Sequence, residues 1–216
     1  KDATRRFPHR FYRWATPATC PLGTAEQLRL AGIEPEAVRH VIMTHFHADH
    51  AGGLADFPHA RVHYHEGALS TLQSLSPLRQ VRAAFLPELM PTGFAQQSDP
   101  VAAAAFAHDE KTGLRTLDLF QDGTVHLVDL PGHAPGHLGV LLETSPRPLL
   151  YAADAYWLRT QLTEGVTPLA LAMAMQWSPP DYLETITRLR VLLQKGTYEI
   201  AACHCPETQR HVEASH

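Results

Sequence analysis

Four potential metal ligands, His45, His47, Asp49 and His50, stand within six residues of one another in the segment THFHADHAGG, directly after the apolar run Val41, Ile42 and Met43. That run reads as a buried strand, so the chain has to fold with the strand inside and its end open to an ion. In an extended backbone alternate side chains share a side, which lets His45 and His47 hold one ion together. Asp49 and His50 are adjacent, and as the chain turns into Ala51, Gly52 and Gly53 they can point away from the first pair, toward a second ion. Imidazole and carboxylate suit zinc, iron or manganese. The absence of cysteine from the cluster argues against a thiolate-rich structural zinc site.

Histidine is abundant, 15 in 216 residues, so isolated histidines carry little weight. His9, His40, His59, His63, His65, His108, His126, His211 and His216 are read mostly as surface or hydrogen-bonded side chains. The cluster is different: it resembles the HxHxDH signature of the metallo-β-lactamase superfamily. Three later segments follow in the order that family uses. LVDLPGHAPGHLGVLL resembles its second metal motif, a strand ending at Gly-His, and implies His133 as a ligand. PLLYAADAYW resembles the third and implies Asp154 as a carboxylate bridging two metals, and EIAACHCPE resembles the last and implies His204. Taken singly, these segments also fit a tight loop, a helix cap and a packed polar residue.

The resemblance spans residues from about 24 to 205. It implies two divalent ions, zinc first among zinc, manganese, iron and cobalt. One would be held by His45, His47 and His133, the other by Asp49, His50 and His204, with Asp154 between them. His137, in the same turn as His133, is read as supporting rather than ligating. The implied fold is α/β, an αββα sandwich with the metals at the sheet edge. Family members usually open with strands ahead of the first helix, so N-terminal strands are expected to be missing from this chain, disordered or removed.

Length and an ordinary balance of apolar and charged residues suit one globular domain over 1–216 with a sizeable core. A net charge of −4 offers no broad basic surface, which argues against nucleic acid as a partner. No apolar run is long enough to span a membrane. Cys20, Cys203 and Cys205 form no disulfide framework, which fits a reducing compartment and a cytoplasmic location. If the segment around His204 is extended, Cys203 and Cys205 point opposite to it and serve as small buried side chains.

Thr24 to Ala31 reads as a helix, with Thr24 and Gln27 at capping-box spacing and Gly32 as the stop. Arg61 to His65 reads as a strand and Glu66 to Ser74 as a helix, while the prolines of 76–97 predict short helices separated by turns. Leu114 to Phe120 and Thr124 to Leu130 are joined by Gln121, Asp122 and Gly123, a hairpin signal. Leu138 to Glu143 and Leu149 to Ala152 read as strands, and Ser178 caps a helix running from Pro179 through Gln194 to Gly196.

Two ions sharing a water lower its pKa toward neutrality and polarise a carbonyl, so hydrolysis is the expected reaction. Asp154 would position the ions and Asp49 would bind one and accept a proton. In the quorum-quenching lactonases, which the motifs resemble, a tyrosine just after the bridging aspartate hydrogen-bonds the substrate. Tyr156 stands near that place, one residue closer than is common there, and either takes that role or packs beside Trp157. The stretch 67–112, with Phe85, Leu86, Leu89, Met90 and Phe94, suits a lid or wall over an apolar substrate tail, and Leu169 to Trp177 a second wall; core packing is the alternative for each residue.

The expected partner is therefore a small molecule with an apolar portion, a lactone or related carboxylic ester, and a homodimer is compatible with the sequence. The absence of a basic C-terminal region argues against a glyoxalase II type thioesterase. Asp154 stands where a common class B β-lactamase would place a cysteine. A persulfide dioxygenase-like oxidoreductase with one iron is the alternative from another class.

Overall fold

The computed structural model describes residues 7–16, 22–143 and 147–208; Cys20, His211 and His216 lie outside the described residues. Two compact units divide the chain, Lys1–Val101 and Ala102–His216. No helix among the described residues is long and apolar enough to cross a membrane.

In the first unit, β1 (His40–Ile42), β2 (Arg61–His65) and β3 (Ser98–Val101) pair in parallel and in that order. Two helices precede the sheet, α1 (Arg10–Ala15) and α2 (Thr24–Leu30), and the four-residue α3 (Ala48–Ala51) follows β1. The proline-broken stretch between β2 and β3 becomes α4 (Glu66–Gln73), α5 (Pro77–Arg82), a 3-10 turn at Pro87–Leu89 and α6 (Phe94–Gln97). Three successive β2 residues, Val62, His63 and Tyr64, are buried, as a parallel strand covered on both faces requires. Phe85, Leu86 and Phe94 are buried too, with Phe85 and Phe94 in the cluster around Phe46 and Leu72, so these three residues of the expected lid are core residues. His63 is hydrogen-bonded to His40 at 2.9 Å and lies 2.9 Å from Asp99, as the hydrogen-bonded reading of isolated histidines expects.

The expected capping box on α2 is not formed. Gly23 is the N-cap and Thr24 is already helical, so its hydroxyl cannot serve the first turn from outside. Gly32 does stop the helix, at φ +75, with its N–H on the Arg29 carbonyl and that of Ile33 on Leu28.

The second unit carries β4 (Ala107–Asp109), β5 (Leu114–Asp118), β6 (Val125–Asp129), β7 (Leu138–Leu142), β8 (Leu149–Tyr151) and β9 (Glu199–Ala201), paired in sequence order. All pairs are antiparallel except β8 with β9. A parallel pair needs a long crossover, here α7 (Arg159–Thr163), α8 (Ala170–Ala174) and α9 (Pro179–Gln194). The expected hairpin joins β5 to β6, with Gln121 and Gly123 at positive φ. Tyr182, Ile186, Leu189 and Leu192 share one face of α9 and close over Leu114, Val128, Leu130 and Leu150.

The candidate metal centre

The predicted ligands fall into two groups, one in each unit. In the first, β1 ends at Ile42 and the chain stays extended to His47, whose ψ is 152°, before α3 begins. Phe46 turns into the core beside Tyr64 and Phe94, so its neighbours His45 and His47 face the other way. Their rings lie 4.5 Å apart, with a ligand atom of each within 4.8 Å of the other. Asp49 and His50 occupy the single turn of α3, which the Ala48 N–H secures on the Ala84 carbonyl. The His50 ring lies 4.1 Å from that of His45, and its Nε2 lies 3.6 Å from Asp49 Oδ2. His45 is fully buried and Asp49 is exposed. Burial, and then the charge of Asp49, hold the phenol of Tyr12 above its usual range, which marks a neighbour of this half-site that no sequence pattern pointed to.

In the second unit the Pro-Gly-His turn is fastened carbonyl by carbonyl. Pro131 O accepts from the Thr185 hydroxyl at 2.7 Å, Gly132 O from the Ser178 N–H at 2.9 Å and His133 O from the Trp177 N–H at 3.2 Å. Gly132 has φ +125, and a β-carbon there would meet the Tyr182 backbone nitrogen at 2.2 Å. Only glycine permits so close an approach.

The imidazole of His133 is set by Gln176. Gln176 Nε2 donates to the Ala172 carbonyl at 3.0 Å, which turns Oε1 toward His133 Nδ1, 2.9 Å away. Nδ1 is therefore a donor and Nε2 faces Asp154, with Oδ2 at 3.3 Å. The same carboxylate oxygen lies 3.5 Å from His204 Nε2. Asp154 is 2% exposed, so one buried anionic oxygen stands between two imidazole nitrogens. A cation reconciles such an arrangement, either a proton on imidazole or a metal ion, and the donors suit the latter.

The loop that presents Asp154 is pinned on both sides. The Asp154 N–H donates to His137 Nε2 at 3.2 Å, and His137 Nδ1 donates to the Leu130 carbonyl at 3.0 Å. Both ring nitrogens of His137 thus serve backbone groups, as a supporting histidine should. Ala153, one residue before the carboxylate, is held at φ 47, a conformation costing about 1 kcal/mol or more outside glycine. Its carbonyl accepts from the Cys203 N–H at 2.9 Å, and the Trp157 and Leu158 N–H groups both donate to Gln161 Oε1 at 2.8 Å.

Tyr156 is wholly buried in the second core, and its hydroxyl donates to the Ile200 carbonyl at 3.1 Å. Burial pushes its phenol far above the usual range. Tyr182, equally buried, is pushed up to about 12 by burial, with the Asp154 charge adding to the effect.

The cysteines divide. Cys205 is buried in the core as expected. Cys203 corrects the sequence expectation: β9 ends at Ala201, residues 203 and 204 form a turn, and strand alternation no longer applies. Ligand atoms of Cys203, His204 and Asp154 consequently lie within 4.8 Å of one another. Gln176 also escaped the sequence reading, although a lone amide after the apolar run 169–175 was its visible signal.

This chain belongs to the metallo-beta-lactamase superfamily, whose family model matches residues 15–195. Among curated relatives, an N-acyl homoserine lactonase AttM of Azorhizobium caulinodans is 28% identical over 189 residues, covering 86% of this chain and 65% of the relative. A probable metallo-hydrolase, Rv2300c of Mycobacterium tuberculosis, is 33% identical over 144 residues, covering 64% of this chain and 43% of the relative. The chain thus spans at most about two thirds of the length of these relatives. A solved N-acyl homoserine lactone hydrolase with N-hexanoyl-L-homoserine at its catalytic metal centre has TM-score 0.62 at 22% identity, covering 87% of this chain and 64% of that one. A probable metal-dependent hydrolase from Staphylococcus aureus has TM-score 0.69 at 14% identity, covering 89% and 64%. The mixed α/β fold is the one these neighbours share.

Proposed function

We propose that the chain is a binuclear metal-dependent hydrolase that opens a lactone or cleaves a related carboxylic ester. The observation that carries this reading is Asp154 Oδ2, a buried carboxylate oxygen faced by His133 Nε2 at 3.3 Å and His204 Nε2 at 3.5 Å. Neither half-site completes a ligand shell alone: one offers His45, His47, Asp49 and His50, the other His133, Asp154 and His204. On this reading one ion would be held by His45, His47 and His133 and the other by Asp49, His50 and His204, with Asp154 available to both. Two divalent ions, when bound, make water nucleophilic near neutral pH and polarise the substrate carbonyl.

The residues have distinct duties in this reaction. Asp49, exposed on the single turn of α3, takes the proton released as water attacks. Gln176 holds His133 in the tautomer that presents Nε2, and His137 holds the Asp154 backbone. Tyr156 takes the packing role of its two alternatives, because its hydroxyl is committed to Ile200 inside the core. Replacing Tyr156 by Phe is accordingly expected to leave lactone turnover within about twofold and to cost about 1 kcal/mol of stability, the worth of one hydrogen bond. A large fall in turnover without unfolding would return it to the catalytic group.

Substrates with an apolar portion are supported from two places. Leu169, Leu171 and Met175 of the second unit expose most of their surface, and in the first unit Leu89, Met90 and Pro91 share a cleft of about 860 Å³ with the polar Asp56, Glu88 and Gln96. The relatives named N-acyl homoserine lactonases favour a lactone. Metal analysis of the purified protein, followed by assays on long-chain acyl lactones, aryl esters, thioesters and a phosphodiester, tests the reading. About two zinc, manganese or cobalt ions with lactone turnover are expected. One tightly held iron with oxygen uptake on a persulfide would overturn it in favour of the oxidoreductase.

A further inference from the structure

We propose that Cys203 supplies a thiolate to the ion held by Asp154 and His204, making that side of the centre a mixed carboxylate, imidazole and thiolate site for a borderline-soft cation such as zinc or cobalt. The proposal rests on the binuclear reading above and adds to it a ligand from outside the expected set.

Three observations support it. The backbone ties the cysteine to the bridging carboxylate, because the Cys203 N–H donates to the Ala153 carbonyl at 2.9 Å, one residue before Asp154. The sulfur, a nitrogen of His204 and an oxygen of Asp154 lie within 4.8 Å of one another. Zinc–sulfur bonds of about 2.3 Å and zinc–nitrogen bonds of about 2.0–2.1 Å put tetrahedral ligand atoms roughly 3.5 Å apart, so modest side-chain movement brings the three into one shell. Cys203 is only half-buried and the His204 side chain is 47% exposed, so an ion can enter; Cys205, 1% exposed, lies in the apolar core instead.

Coordination breaks the S–H bond of Cys203, forms a sulfur–metal bond and releases the proton to solvent, with no change of oxidation state. Thiolate ligation biases the site toward zinc or cobalt and away from manganese, which prefers oxygen donors.

Metal-stripped protein titrated with cobalt(II) and followed by near-ultraviolet absorption provides the test, since a thiolate gives a sulfur-to-cobalt charge-transfer band that oxygen and nitrogen donors do not. The band is expected in the wild type, retained in Cys205→Ala and lost in Cys203→Ser. The affinity for that cobalt should also fall by roughly tenfold or more, the scale on which even partners of ligands act. In the unmutated protein, cobalt should shield Cys203 from iodoacetamide, as mapped by peptide mass, whatever the folding of the variants. Two cobalt ions bound without the band, or a band that survives Cys203→Ser, would overturn the thiolate and leave the binuclear reading standing. A protein that binds no cobalt at all would remove both.

Discussion

Replacing Asp154 by Ala is expected to remove metal and hydrolysis together while leaving the metal-free protein folded. The carboxylate is 2% exposed and its Oδ2 faces His133 and His204, so in the absence of a cation it stabilises nothing beyond what its burial costs. The backbone of the loop is held independently, by the Asp154 N–H on His137 and the Ala153 carbonyl on Cys203, and alanine keeps both bonds. Turnover should fall by at least about 10²–10³-fold, the cost of taking one preorganised group from an electrostatic site. The clearest signature is thermal. Metal at about 100 times its Kd stabilises a protein by about 2.7 kcal/mol, and this rise in Tm should appear in the wild type and be absent from the variant. An Asp154→Ala protein that is fully metallated and active would refute the bridging role.

Gly132→Ala should be the most damaging of the conservative changes. Alanine would have to adopt φ +125, outside the regions open to L-residues, and its methyl would meet the nitrogen and α-carbon of Tyr182 at 2.2 and 2.3 Å. Tyr182 cannot withdraw, because it is wholly buried in the first turn of α9. Overpacking at roughly 1–3 kcal/mol and a strained backbone at roughly 1–3 kcal/mol combine to a loss of about 2–6 kcal/mol. Urea denaturation measures it, and an unchanged midpoint would show that the turn has room the geometry denies. A variant that survives should bind metal more weakly, since the displaced turn carries His133.

Much of the candidate centre was legible in the sequence because the residues proposed as its ligands follow strand-like runs. His45 and His47 share a side because Phe46 between them is large and apolar and takes the core, a pattern visible in the sequence itself. Pro179 at the start of α9 and Gly196 beyond its end bracketed that helix correctly. What could not be read depends on where a strand stops. One residue decides whether Cys203 alternates away from His204 or turns with it, and β9 ends at Ala201 through its pairing with β8, a partner 50 residues earlier. Gln176 was hidden for a similar reason: its value comes from His133, 43 residues away, and local pattern carries no such information. The Thr24 cap failed on a shift of one residue, which capping preferences alone do not resolve.

Gln176 also links two features that are otherwise unrelated. Its amide nitrogen is fixed to Ala172 within α8, a short helix with Leu169 81% and Leu171 77% exposed at its start, and its amide oxygen holds a ligand-type imidazole. A change in α8 therefore reaches His133 through one side chain. For anyone wishing to retune the proposed hydrolase by directed evolution, α8 is a control surface: its outward positions can be varied without touching a proposed ligand, and the amide will carry the adjustment inward.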